Sequence, residues 1–410
     1  MLLIKMALRN LWRRKFRTVI TVSAIGFSYG LLIFFVQFQT GGKEQMANTG
    51  IRMQAGHVVI QATGYNVDKE LEKSIKNPGA IDKTIHSSDK KAKIAWRLFT
   101  TGSLRSSDGS VLLDRLVGAQ FDREKNVSDF PSKMQTGTFL TGGPDEIVIG
   151  AAAAKLLKAE VGSKVQLSIS DIDGSIVRVL LRIKGIYKTG GASVDRGYAL
   201  MNISRLQELL KMPGEVSQIA IFTDLHSSKG LAKELRRRLR GQQTEVLHWQ
   251  QALPTLHQLL LVDTASMYIF LFIIFFIVAA GILNSVLMSV LERTREFGVL
   301  KALGMRPGKI LQLIMSEAFL MGLFAIIVGL AVGLTMSYIV SIYGLDPADL
   351  AGGEQGMEAA GVPLTEKLYP KITAFSCVWS SLFVMILTLI SALPPSLRAA
   401  KILPVKAIRE

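Results

Sequence analysis

Residues that could carry catalysis are few and poorly spaced in this 410-residue sequence. The five histidines (His57, His86, His226, His248 and His257) show neither HxxxH nor HExxH spacing, so no pair shares a helix face as metal ligation would need. No Gly-x-Ser-x-Gly elbow presents a nucleophile. Gly304 to Lys309 ends in Gly-Lys, but only three residues separate its two glycines and Ile310 follows, which is not a nucleotide-binding loop. The single cysteine, Cys377, sits in an apolar run and offers neither a disulfide nor a thiolate metal site. The chain's own residues therefore imply no enzyme activity, metal or cofactor. What the sequence concentrates is ionic chemistry. Glu292–Met305 reads ERTREFGVLKALGM, and with the next four residues it carries Arg293, Arg295, Lys301, Arg306 and Lys309 against Glu292 and Glu296. Val299, Leu300 and Leu303 recur at helical spacing, which predicts a short amphipathic helix at a membrane surface, and Pro307-Gly308 marks the turn after it. So many charges on so few residues suit docking on a soluble partner. A positively charged loop that only fixes orientation has the same composition, which leaves both readings open.

That link lies between two apolar spans, and the rest of the chain is organised by two more. Mean hydropathy is +0.33 and 49% of residues are hydrophobic, values of a membrane protein with a sizeable water-exposed part. The net charge of +16 invites a nucleic-acid partner. Fifteen Lys and Arg against three acids, however, fall in residues 1–18, 292–309 and 393–410, all flanking apolar spans, so the basicity marks topology and no nucleic acid is expected. The expected order is a basic cytoplasmic segment over 1–18, a first span over 19–38 and a large extracytoplasmic region over 39–266. A second span (267–290), a cytoplasmic helix and turn (291–309), a third span (310–343), an acidic Gly-rich outside loop (344–373), a fourth span (374–392) and a cytoplasmic tail (393–410) follow. Pro394-Pro395 is expected to end the fourth span.

Small residues form faces suited to helix contact in lipid: Gly26 and Gly30 in the first span, Gly281, Ser285 and Ser289 in the second, and Gly322, Gly329, Gly333 and Ser337 in the third. Glu317 stands near the inner end of the third span. A carboxylate so close to hydrocarbon is a functional candidate by default, although an ion pair with a basic residue of the link is the better expectation. No charge lies deep in any span to line an aqueous pore, which argues against a channel or solute carrier.

The large region between the first two spans reads as short strands and helices. Strands are expected near 57–61, 110–117, 146–149, 164–170 and 177–187, the last two as a hairpin around Asp173-Gly174. Helices are expected over 151–158, 203–211 and 228–240, with helical stalks at 39–49 and 254–263. The Arg236–Arg240 run reads as the solvated face of a helix. The fold class is thus an α-helical membrane protein with four transmembrane helices and a large mixed α+β extracytoplasmic domain between the first and second. A segment of about 120–215 is expected to form an inserted sub-domain.

ERTREFGVLKALGM resembles the coupling segment of the FtsX/MacB/LolC–LolE superfamily of ABC transporter permeases. MALRNLWRRKFRTVITVSAIGFS and LPPSLRAAKILPVKAIRE are similar to the N- and C-terminal segments of that family, and DEIVIGAAAAKLLKAEVGSKVQLSI to its extracytoplasmic core. GHVVIQATGY resembles permeases of lipoprotein-release systems. The resemblance implies a location in the bacterial inner membrane and a separate cytoplasmic ATPase dimer that binds the ATP and Mg. It further implies a second permease chain, identical or a paralogue, and movement relayed to outside domains that extract lipoproteins or other amphiphilic cargo. It places ATPase coupling on Glu292, Arg293, Arg295, Glu296, Gly298, Lys301 and Gly304, and the permease–permease interface on the small-residue faces of spans one to three. Regulation of a cell-wall hydrolase, as by FtsX, and efflux of small hydrophobic compounds or peptides are the alternatives. The LolC type recruits a periplasmic carrier through a long proline-containing hook, whereas the matching place here is the short, proline-free turn over Ser170–Arg178.

Overall fold

The computed structural model describes residues 2–13, 15–68, 70–346, 358–363 and 367–402, in two compact units. One comprises Met1–Lys43, Val262–Leu345 and Leu368–Glu410, and the other Glu44–Leu261 with Asp346–Lys367.

Among the described residues, four helices are long and apolar enough to cross a membrane: Thr18–Gln54, Pro254–Glu292, Pro307–Tyr343 and Ala374–Lys401. Phe272, Phe276 and Phe375 stand exposed on them, as side chains facing hydrocarbon can. With no hydrophobic force between helices in lipid, contact depends on close packing, and small residues provide it. Gly26 and Gly30 of the first helix meet Gly329 and Gly333 of the third. A Cβ on Gly329 would lie 2.7 Å from the Gly26 carbonyl oxygen, and one on Gly333 would lie 2.7 Å from that of Gly30. Tyr29 packs in the same crossing and hydrogen-bonds Ser380 (3.1 Å) and Ser381 (2.7 Å) of the fourth helix. Gly322 faces Thr388 of that helix. The Ser285 hydroxyl shares a 3.0 Å hydrogen bond with Thr21 of the first helix.

These contacts correct the expectation that the small-residue faces of the first and third spans serve a second chain. The two GxxxG pairs lie at the same depth and fill one another within this chain. Gly281 alone of the candidate glycines in the spans has nothing within 4 Å of where a Cβ would stand. The fourth helix also departs from expectation, because it runs through Pro394 and Pro395 to Lys401. Proline removes an amide and crowds the preceding turn, yet membrane helices tolerate it where neighbours and hydroxyls re-satisfy the backbone. Here the carbonyls that lose a helical donor are those of Ile390 and Ser391, and Pro395 is packed in the interior beside the buried Ser396, whose hydroxyl donates to the Ala392 carbonyl at 2.6 Å. Lys406, Arg409 and the remainder of the tail from 403 onward lie outside the described residues.

The second unit is built on a 10-stranded sheet. Its strands are β1 (Val58–Ala62), β2 (Lys93–Arg105), β3 (Ser110–Ala119), β4 (Met134–Gly137), β5 (Glu146–Gly150), β6 (Lys164–Ser170), β7 (Ile176–Tyr187), β8 (Tyr198–Asn202), β9 (Gln218–Phe222) and β10 (Thr244–His248). The order is β10-β1-β9-β2-β3-β8-β5-β7-β4, and β6 pairs with both β2 and β7. That double pairing closes β2, β3, β8, β5, β7 and β6 into a barrel, with β9, β1 and β10 extending from β2. Val165, Leu167 and Ile169 of β6 alternate inward onto Leu104 of β2 and Leu181 and Ile183 of β7, the period of a strand with one buried face. The expected inserted sub-domain over 120–215 is therefore not separate. Its strands join those of 93–119 in one ladder through β3·β8 and β2·β6, and share one core.

Two further features tie this unit together. Arg97 on β2 is buried, pairs with both oxygens of the buried Glu124 (2.7 and 3.3 Å) and donates to the carbonyls of Ala55 (3.1 Å) and Arg52 (3.5 Å). It thereby satisfies carbonyls that the end of the helix Lys15–Gln54 would leave orphaned. A hairpin of Glu358–Ala359 and Val362–Pro363, from the loop after the third membrane helix, also belongs to this unit. Val362 is fully buried beside Ala47, Ile51 and Leu256, the Gly361 carbonyl accepts from Gln54, and the Glu358 carboxylate accepts from the Ser193 amide at 2.8 Å. Residues 347–357 and 364–366 of the loop lie outside the described residues.

Gly333→Leu should overfill the crossing of the first and third helices at a cost of about 1–3 kcal/mol. The thermal unfolding midpoint of the detergent-purified chain should drop for Gly333→Leu and hold for Gly281→Leu. Equal midpoints for both variants would dismiss the reciprocal glycine contact.

Candidate functional site at the link helix

The link between the second and third membrane helices is a helix over Thr294–Ala302. It is stopped by a left-handed Gly304 (φ +90°), with the Met305 amide bonding back to the Leu300 carbonyl at 3.0 Å and the Gly304 amide to Lys301 at 2.9 Å. This is a Schellman ending, and Pro307 then opens the third membrane helix in its first turn. Gly304 was expected among the docking residues; its geometry makes it the helix terminator.

The inward face of the link recurs at four-residue spacing: Arg293, Phe297 and Lys301. Phe297 is buried among Ile310, Ile314 and Ala399. The buried Arg293 grips both oxygens of the buried Glu317 at 2.8 and 2.9 Å, and its Nε donates to Glu296 at 2.9 Å. Asn10, on the N-terminal helix Leu2–Arg13, donates to the same Glu317 carboxylate at 2.7 Å. Burial opposes the Arg293 charge, but Glu317 and Glu296 more than offset it, so the guanidinium holds its proton more tightly than usual. Lys301 Nζ donates to the carbonyls of Ala400 (2.8 Å) and Ile402 (2.7 Å), at the end of the fourth membrane helix, where carbonyls lack helical partners. A polar cavity of about 120 Å³, lined in part by Asn10, Thr21, Ser285, Arg293 and Glu317, opens beside the ion pair and is large enough for water.

The outward face is different. Glu292, Arg295, Glu296 and Gly304 are exposed. Among them stand two large apolar side chains, Val299 (45% exposed) and Leu303 (79%). Of the seven residues expected to couple, Arg293, Gly298 and Lys301 are turned away from this face or partly covered, Arg293 and Lys301 serving to hold the link against the membrane helices. Glu317 pairs with the link as expected. Among the described residues no three His, Cys, Asp or Glu side chains gather as a metal site.

Residues 18–238 match the MacB-like periplasmic core domain, and residues 268–404 match the FtsX-like permease C-terminal domain. The chain belongs to the MacB/FtsX family of ABC transporter permeases. The permease is 24% identical over 305 residues to the lipoprotein-releasing system transmembrane protein LolC of Xylella fastidiosa (strain 9a5c), covering 70% of this chain and 71% of that one. Its identity to the LolC protein of Neisseria meningitidis serogroup B is 22%, over 96% of this chain and 94% of the relative. The ABC transporter permease YknZ of Bacillus subtilis is 23% identical over 99% of this chain and 98% of its own length.

Asn10 escaped the sequence analysis because a basic N-terminal segment reads as a topology signal. The pair Ala7 and Leu11, one helical turn apart and both buried, is the trace of a packed helix there. Val299 and Leu303 were visible as an apolar period, and the structure adds that both side chains are exposed.

Glu317→Met or Arg293→Met should each cost the permease about 3–5 kcal/mol, since either takes the main partner from a buried charge. The double variant Arg293→Met/Glu317→Met should recover most of that loss. Thermal unfolding of the four proteins in one detergent reads the cycle, and additive losses would break the coupling.

Proposed function

We propose that this permease is the membrane subunit of a mechanotransmission ABC transporter of the bacterial inner membrane, with both termini cytoplasmic and the large domain on the opposite side. The basic residues flanking its spans support that orientation. A separate ATPase dimer binds ATP and Mg and docks on the exposed face of the link helix. The observation that carries this reading is the two-sidedness of the link. Arg293, Phe297 and Lys301 fix it to the third and fourth membrane helices, while Arg295, Val299 and Leu303 are left facing outward. A helix held this firmly on one side passes displacement of its other side to whatever it is fixed to.

The first and second membrane helices run without interruption from residues 15 to 54 and from 254 to 292. At 1.5 Å per residue each extends about 60 Å, and each is a rod suited to relaying motion to the domain it enters. A second permease chain, a copy or a paralogue, completes the assembly. The named function of the LolC relatives supports lipoproteins or other amphiphiles as cargo, released at the outer face of the membrane. The hairpin turn between β6 and β7, Asp171 to Ser175, is too short for a carrier-recruiting hook, so any periplasmic carrier docks elsewhere.

Affinity purification of the tagged permease in mild detergent is expected to recover a nucleotide-binding ATPase together with acylated protein. Leu303→Asp and Arg295→Ala should reduce ATPase recovery by about tenfold or more while leaving the permease inserted. Recovery of no ATPase by the unaltered chain would overturn the proposal. A wall hydrolase in place of acylated cargo would replace transport with regulation.

A further inference from the structure

The large domain contains a cleft that the proposed docking and relay do not use. β2 pairs with β9 as far as Arg97 and with β6 only from Gly102 onward, so the sheet forks between these residues. A cleft of about 980 Å³ opens at the fork, between the outside of the barrel, the side chains of Tyr65, Asn66 and Leu71, and the junction at Ala252–Leu256. That volume lies at the upper end of small-molecule sites, which run from ~300 to 1,000 Å³. Gly102, Ser103 and Ser168 give it a small-residue floor, and apolar side chains rim it. Leu112 is 75% exposed and Ile176 67%, on strands whose neighbouring residues alternate into a well-filled barrel. Large side chains so exposed on an ordered strand face carry a desolvation gain that nothing in the domain uses.

One cation faces this cleft in a defined setting. Arg115 lies with its guanidinium carbon 5.1 Å from the Phe99 ring centre and 5.2 Å from that of Tyr198. Stacked on aromatic faces, a guanidinium keeps its edge N–H donors for a coplanar carboxylate or phosphate. Tyr65 also lies within electrostatic reach of it, and among the described residues no ion pair holds it. Of the two acids in the cleft, Asp171 is held by Lys211 at 2.8 Å and by the amides of Asp173 and Ser175. Asp114 follows Leu112 by two positions on β3 and crowds the Gly197 backbone.

We infer that this cleft binds an anionic amphiphile, with its acidic group on Arg115 and its apolar chain along the floor between Leu112 and Ile176. The inference deepens the cargo reading above, naming the chemical class the domain takes. It does not depend on the ATPase, so the two can fail separately. The site lies against Gln54 and Leu253, where the two long helices join the domain, so an occupied cleft touches the elements proposed to carry force.

The test uses the full permease in nanodiscs of zwitterionic lipid, with dansyl-undecanoate and its methyl ester as fluorescent probes and empty nanodiscs as baseline. Saturable binding of the acid above the baseline is expected. Arg115→Met should weaken the acid about tenfold, as loss of one charge-assisted bidentate contact would, and leave the ester unchanged. Because Leu112 is exposed, its replacement does not threaten folding: Leu112→Asp should lose the acid about tenfold, and Leu112→Lys should keep it. Displacement by laurate identifies a fatty-acid source and displacement by a short-chain phosphatidic acid a lipid headgroup, and either supports the site. Absence of saturable binding, equal weakening of acid and ester by Arg115→Met, or identical behaviour of the two Leu112 variants overturns it.

Discussion

A carboxylate buried beside hydrocarbon must be neutralised by charge and hydrogen bonds, and the link end of this permease is arranged around that requirement at Glu317. Leaving it unpaired would cost several kcal/mol, and Arg293 supplies the charge, with one guanidinium nitrogen donating to both carboxylate oxygens. Arg293 sits where the second membrane helix gives way to the link, so satisfying Glu317 also sets the angle at which the link departs. Asn10 brings the N-terminal helix to the same oxygen. Three separate stretches of sequence, around residues 10, 293 and 317, are thereby held by one acid. Lys301 repeats the device at the far end of the link, using orphaned carbonyls in place of a carboxylate. Anchored at both ends, the link cannot tilt without moving the helices behind it.

The large domain uses the same economy of one strand serving two structures. β2 is a member of both the barrel and the β9-β1-β10 extension, and Arg97 lies where it passes from one to the other. Its guanidinium fills the place that bulk water would take at the end of a long helix, and Glu124 balances its charge. A buried ion pair contributes little net stability compared with apolar packing, but it is specific about geometry. That specificity suits a position where a helix end must keep its register against a sheet.

Much of this architecture could be read from the residues. The apolar spans, the link helix, and the hairpin strands β6 and β7 follow from period and turn chemistry, and the observed strands begin or end within a residue or two of expectation. Glu317 and its basic partner were legible because charge near hydrocarbon has few solutions. The barrel was not, since closure depends on β6 pairing with two strands distant in sequence, which no local pattern encodes. β2 was missed because KIAWRLFTTGSLR mixes charge, aromatic and glycine as it passes between two environments, so neither strand period persists along it. The glycine faces were visible as faces, yet their partners were assigned to another chain. A GxxxG pair announces close contact without saying with what, and only the matched depth of Gly26/Gly30 and Gly329/Gly333 resolves it. The role of Arg293 inverted for a similar reason, because sequence shows charge and not the direction in which it points.

The hairpin at Glu358–Pro363 bears on how the large domain can be handled in isolation. Lys43 and Asp263, paired at 3.3 Å, bring together the two points at which the chain enters and leaves this domain, so excising residues between them leaves adjacent ends that a short linker could join. Such an excised fragment would nonetheless lack Val362, which comes from a loop some hundred residues further on and fills the space beside Gly50 and Leu256. The fragment would expose an apolar hole at its base. Restoring the hairpin as a separate peptide would then be a complementation assay for the domain's integrity.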